Sequence, residues 1–159
     1  MSAVRKKAIV AIALEIKRPR GYGRVRLRRV TNVSAASLVP FVTDVVELES
    51  VVLTDAWSGY IPLRRHGYDH KRTSLNASDE PATVIMPGVH RIASLLKRWL
   101  LGTHQGAVRP NHLDAYLDEY TFRFNRRSSR SRGLLFYRLL EQAVVAAPAT
   151  YAQIVRPKM

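Results

Sequence analysis

The chain has 159 residues, a formal net charge of +14 from 26 Lys+Arg against 12 Asp+Glu, and a hydrophobic fraction of 47%. That length fits one domain with a single core, the apolar fraction excludes a disordered chain, and the absence of cysteine excludes disulfides and cysteine-based zinc fingers, as fits a reducing, cytoplasmic setting. So large a positive excess repels itself unless a polyanion neutralises it, which points to nucleic acid; no segment is at once basic, amphipathic and long enough to lie on a membrane.

Residues 7–15 form an apolar run rich in Ile, Val and Ala, the pattern of a strand buried on both faces. Behind Arg5-Lys6-Lys7 this run mimics a signal peptide, but Glu15 ends it and no small-residue cleavage site follows. No stretch is long enough to span a bilayer. Pro19-Arg20-Gly21-Tyr22-Gly23 is a turn cluster, and residues 24–30 alternate arginine with apolar side chains, so the two segments read as a hairpin with an arginine face. Residues 1–30 hold ten Lys+Arg and one acid, Glu15. Such a face serves equally as a charged edge that resists aggregation or as a DNA contact.

Ser34 is placed to cap a helix over residues 35–47, whose apolar stripe is Leu38, Phe41, Val42, Val45 and Val46, with Pro40 in its opening turns. A strand over 51–54 ends at Asp55, and Gly59 turns the chain soon after. Residues 57–65 read as a short helix and 68–75 as a more polar strand. Residues 76–88 are rich in Ser, Asp, Glu, Pro and Gly and read as a loop. Helices follow over 89–102 and 110–125, then a basic turn and a last helix over about 133–147. The order β-β-α-β-(α)-β-α-α-α gives an α/β protein with a helical C-terminal third.

An apolar strand that closes on one carboxylate, as 51–54 does on Asp55, is how α/β nucleases present a metal-binding oxygen, although an Asp there also commonly bonds its own turn. In the helix at 89–102, Val89, Ile92, Ala93, Leu96, Trp99 and Leu100 form the buried stripe. His90 and Lys97 are seven apart, nearly two turns at ~100° per residue, and share an adjacent face. His66 and His70 are four apart, but Gly67 lies between them and no third ligand is near, which argues against zinc. Asp114 and Asp118 read as the solvated side of a helix whose core side is Leu113, Leu117, Tyr120 and Phe124. The run from Phe122 to Arg132 carries five arginines, no acid and interleaved aromatics, which suits DNA phosphates. Asp69 and Asp79 are weak candidates for a further nuclease carboxylate, since neither closes a convincing buried strand.

The segment SLLKRWLLGTHQGAVRPNHLDAYLDEYTFRFNRR, from Ser94 to Arg127, resembles the C-terminal part of insertion-sequence transposases of the ISXO-like group, in the DDE superfamily. KAIVAIALE, GRVRLRRV and VVLTDAWSGY lie upstream in the matching order, so the resemblance covers nearly the whole chain. It implies a ribonuclease-H-like mixed sheet over residues 1–147, followed by a tail at 148–159. It implies DNA transposition by metal-dependent phosphoryl transfer, in which two divalent ions activate the attacking oxygen and stabilise the leaving one. DNA, as transposon ends and target, would be the partner, with a homo-oligomer on DNA as a further expectation.

Carried over residue by residue, Asp55 matches the second catalytic Asp, and His90 falls on the third position, as in relatives that read Asp-Asp-His. Both would be metal ligands, for Mg²⁺ or, given the softer imidazole of His90, Mn²⁺. Lys97 matches a basic residue that contacts DNA near the cleavage point, and Arg98, Arg123, Arg126 and Arg127 join it as expected DNA contacts. Relatives carry their first catalytic Asp on a strand just before the KAIVAIALE strand, and Met1 to Arg5 supply none. The expectation is a sheet without its first, central strand, from a truncated copy or a mis-assigned start, and a chain that is inactive alone. The alternatives are a non-catalytic basic DNA-binding protein and a nuclease with another first carboxylate.

Overall fold

The structure, a computed structural model, describes residues 7–73, 86–105, 108, 110–131 and 133–152. At its centre lies an antiparallel hairpin of β1 (Ile9–Ile16) and β2 (Tyr22–Val30), in register from Ile9 opposite Val30 to Leu14 opposite Val25, with a shift before Ile16 meets Tyr22. The turn needs Gly21, whose φ of 108° is open to glycine and strained for other residues. Side chains alternate along a strand and directly opposed residues share a face, so the register sorts the hairpin into two sides. Ala11, Ala13 and Val30 pack into one core, whereas Val10, Ile12, Leu14, Val25 and Leu27 pack into another. Both faces of β1 are covered as expected, yet of its residues only Ala11 is fully buried.

The first core is built on α1 (Ala35–Val45), which buries Leu38, Val39, Phe41 and Val42 against Ala11, Leu63 and Tyr68. The Ser34 side chain makes no capping bond, contrary to expectation. Asn32 does the local tethering instead: its Oδ1 accepts from the Ser34 amide at 3.0 Å and from the Ser37 hydroxyl at 2.9 Å. Pro40 lies further inside the helix than the opening turn, so the carbonyl of Ala36 loses its intrahelical donor.

Past α1 the chain forms β3 (Val51–Asp55), a 3-10 helix over Ser58–His66 in place of the expected α-helix, and β4 (Asp69–Thr73), parallel to β3. The strands form two separate pairs, antiparallel β1–β2 and parallel β3–β4. Among the described residues no strand bridges β1 to β3, so each keeps one edge without a ladder partner. What spans the two pairs is the α1 core, which takes in Ala11 and Ala13 of β1 and Val52 of β3. Only one face of β3 is covered. Val51 and Leu53 are exposed while Thr54 is buried.

The second core covers the other side of the hairpin. Ile92 and Leu96 of α2 (Pro87–His104) join Leu113, Leu117 and Tyr120 of α3 (Leu113–Asn125) around Val25, the most deeply buried residue of β2. A short 3-10 turn at Pro110–His112 leads into α3. The end of α3 is fastened to the outer edge of β2 by side chains. Asn125 bonds both the N–H and the C=O of Val25, and the Arg127 guanidinium donates to the carbonyls of Tyr22 and Gly23. Last comes α4 (Gly133–Val145), which buries no residue fully and leaves Leu134, Phe136, Tyr137, Leu139 and Leu140 exposed.

Candidate functional site

Asp55 is the last residue of β3 and is half-buried. Its Oδ1 accepts from the Trp57 amide at 3.2 Å, so the carboxylate caps its own turn. That turn is pinned to the chain just beyond β2, because the Trp57 indole N–H donates to the Val33 carbonyl at 2.7 Å. Gly59 permits the approach: a Cβ there would lie 2.5 Å from the same carbonyl oxygen. Burial, and then the negative charge of Asp55, raise the pKa of the Tyr60 hydroxyl.

Behind Asp55 lies a polar knot that sequence reasoning missed. Thr54 Oγ1 donates to the Asp55 carbonyl at 2.7 Å and sits 2.7 Å from His70 Nε2 on β4. A hydroxyl has one proton, so with that proton on the Asp55 carbonyl, His70 Nε2–H is the donor to Thr54. His70 is 1% exposed. Burial, followed by the charges of Arg64 and Arg72, lowers its pKa. Arg64 donates to the His70 carbonyl and Arg72 to that of Ala56, tying the crossover to β4. His66 is exposed at the end of the 3-10 helix while His70 is in a strand, so the two share no helix face. Asp69 is exposed beside Lys71 at 3.6 Å, and Asp79 lies outside the described residues.

His90 is half-buried in the first turn of α2, with Lys97 and Arg98 exposed further along. The docking of that first turn is set by Gly88, where a Cβ would come within 2.6 Å of the Tyr22 ring and 2.8 Å of Leu14. Tyr22 is the first residue of β2, whereas the Asp55 turn is pinned at Val33, past its last. The two turns are thus anchored near opposite ends of β2, a strand whose eight rises at about 3.3 Å each span roughly 26 Å. Ligands of one ion must each lie about 2.0–2.6 Å from it. Among the described residues no group of three His, Asp or Glu side chains is placed to hold a metal ion.

The arginines fall into distinct settings. Arg28 reaches α1, pairing with Asp44 at 2.9 Å and lying over the Phe41 ring, while Arg29, on the opposite face, pairs with Asp114 at 3.0 Å. At the end of α3, Arg123 meets Glu119 at 3.3 Å, Arg126 stacks 3.8 Å above the Phe122 ring centroid, and Arg127 stacks 3.9 Å above that of Phe124. Phe122, Arg123, Arg126, Arg127 and Leu135 line a cleft of about 320 Å³ between α3 and the start of α4. Arg130 is exposed nearby, and Arg132 lies outside the described residues. Among the described residues no helix is long and apolar enough to cross a membrane.

A basic, mixed α/β domain with a carboxylate at a strand end and an arginine-lined cleft is thus the class that fold and site define. Residues 2–125 match the family described as the ISXO2-like transposase domain, and the chain belongs to that family. A transposase domain serves DNA transposition. No curated protein and no solved structure matches the chain.

Proposed function

We propose that the chain serves DNA transposition as the DNA-holding part of a ribonuclease-H-like domain, and that alone it binds DNA without cutting or joining it. The observation that supports this reading is how the two turns are anchored: the Asp55 turn is clipped beyond one end of β2, and the turn bearing His90 docks at the other. Metal-dependent phosphoryl transfer at transposon ends, with Mg²⁺ or Mn²⁺, is the chemistry proposed for the family. No step of it is derived through Asp55 and His90 as they stand. They act as ligands only in an arrangement that brings the start of α2 to the end of β3.

Several features support the fold and the partner. The succession of an antiparallel pair, a helix and a parallel pair, with β1 and β3 each open along one edge, agrees with a ribonuclease-H-like sheet whose central strand is not among the described residues. The proposed domain spans residues 1–147, with 148–159 as a tail. The +14 charge and the exposed Lys97 and Arg98 on α2 favour DNA as the partner. Arg123, Arg126 and Arg127 add a second basic surface, and a homo-oligomer on DNA is proposed with them.

The test is a gel-shift and strand-transfer experiment on a duplex bearing the element's terminal repeat, with Mg²⁺ or Mn²⁺. The expected result is a retarded complex that dissociates with salt, no nicked or joined product, and unchanged binding by Asp55→Ala and His90→Ala. Joined product from this chain alone, lost in either variant, would overturn the proposal. The second reading, a purely DNA-binding protein, rests on the bond from Asp55 to its own turn, and shares the binding result but predicts no joining in any assembly.

A further inference from the structure

We infer that the cleft between the end of α3 and the start of α4 seats an unpaired nucleotide, so that the protein prefers DNA with a single-stranded end over blunt duplex. The inference rests on the DNA-binding reading above and names what one part of that surface takes. The cleft has a chemically mixed lining: the Phe122 ring and Leu135 provide apolar surface, and Arg123, Arg126 and Arg127 surround it with positive charge. Leu135 is the one residue of α4 that is half-buried, so α4 meets the cleft there.

Duplex DNA presents phosphates on a convex surface, and its base faces are stacked out of reach. A convex backbone has no use for an apolar recess. An unpaired nucleotide offers what the recess matches, a flat apolar base face together with an anionic phosphate. A volume of about 320 Å³ is on the scale of a small-ligand pocket and far below the bulk of a double helix.

The arginines are also arranged for stacking. Arg126 lies flat enough over Phe122 for its Cζ to sit 3.8 Å from the ring centroid. A guanidinium held on an aromatic ring offers a planar cation on which a base continues the stack. Arg127 plays a different part. Its donors go to the Tyr22, Gly23 and Phe124 carbonyls, which fixes the floor of the cleft to β2 and spends the hydrogen bonds that a phosphate would want. The phosphate contact therefore falls to Arg123 and Arg126. Among the described residues Arg123 pairs with the exposed Glu119, a pairing that an incoming phosphate can replace at small cost.

The experiment is fluorescence anisotropy at fixed salt with a labelled blunt duplex and the same duplex carrying a short single-stranded overhang. The overhang substrate is expected to bind about tenfold more tightly, the scale of one base stacked on an aromatic or arginine platform. Phe122→Leu removes the ring and keeps apolar bulk, and Arg126→Lys keeps the charge and removes the planar group. Both are expected to erase the overhang preference, read as the ratio of overhang to blunt-duplex affinity within each variant, so that any change in general phosphate attraction cancels. Circular dichroism melting confirms that each variant is folded; were Phe122→Leu to unfold, Arg126→Lys alone decides. Equal affinity of the native chain for both substrates overturns the inference and leaves the DNA-binding reading standing. A preference that survives in folded Arg126→Lys also overturns it, and no binding to either substrate overturns both.

Discussion

The Asn125 carboxamide closes on the backbone of Val25, one hundred residues earlier, accepting from its N–H at 2.7 Å and donating to its C=O at 3.0 Å. In effect the last residue of α3 stands in for a neighbouring strand at the outer edge of β2. Val25 has no exposed surface, so its backbone groups gain little from water if the amide is removed. Asn125→Ala should therefore destabilise the fold by about 2 kcal/mol, within the range for leaving buried partners unsatisfied. Asn125→Asp keeps the acceptor but turns a carboxylate oxygen toward the Val25 carbonyl, and should cost at least as much. Urea unfolding of both variants checks this, and a loss below half a kcal/mol for Asn125→Ala would show that the clamp is ornamental.

His70 gives the fold a pH dependence whose sign is fixed. Burial and the neighbouring Arg64 and Arg72 charges hold its pKa below the ordinary 6.5, so near that pH the unfolded chain binds the proton and the folded one does not. The stabilisation from keeping His70 neutral is complete above pH 6.5 and is lost as pH falls from there through the folded value. Unfolding midpoints should thus drop between pH 7.5 and pH 5. His70→Gln, which retains an amide donor for Thr54, should flatten that part of the curve. A native profile that rises toward pH 5 would contradict the burial argument.

The charged contacts that look most persuasive should matter least to stability. Arg28 with Asp44 and Arg29 with Asp114 join β2 to helices on opposite sides, but each partner is two-fifths exposed or more. Water and salt screen such pairs to between zero and about 1 kcal/mol. Asp44→Asn and Asp114→Asn are expected to shift the urea midpoint slightly, and less in high salt. A loss several times larger would show that the arginine strand depends on these carboxylates.

Much of this architecture was legible in the sequence because it follows from periodicity. The alternation in residues 24–30 marked β2, the Leu38, Phe41 and Val42 spacing marked α1, and Leu113, Leu117 and Tyr120 marked the core side of α3; all appear as read. What periodicity does not encode is where an element docks. The interval from His90 to Lys97 sets their common face on α2, yet where the first turn lands depends on Gly88 fitting beneath Tyr22 and Leu14. The run from Phe122 to Arg132 was read as arginines and interleaved aromatics facing DNA phosphates. That Arg127 is a structural clamp depends on β2 carbonyls that come near only after folding. The one-sided exposure of β3 was hidden for a similar reason, since Val51 and Leu53 are as apolar as a doubly covered strand would require.

Docking of α2 through Gly88 leads to the last prediction, which bears on both fold and site. A Cβ at this position would come within 2.6 Å of the Tyr22 ring and 2.8 Å of the Leu14 side chain, closer than real contacts allow. Tyr22 opens β2, next to the Gly23 carbonyl that Arg127 grips, so the ring has limited freedom to retreat. Helix propensity alone favours the replacement by about 1 kcal/mol at an interior position, and less this near a helix start. Gly88→Ala is therefore a contest between a better helix former and an overlap. Overpacking typically costs about 1–3 kcal/mol, so the overlap should win and the variant should unfold at lower urea. If Gly88→Ala instead stabilises the chain, the start of α2 does not rest on Tyr22 and Leu14. The proposed separation of His90 from Asp55, and with it the expected failure of the isolated chain to join DNA, would then lose its main support.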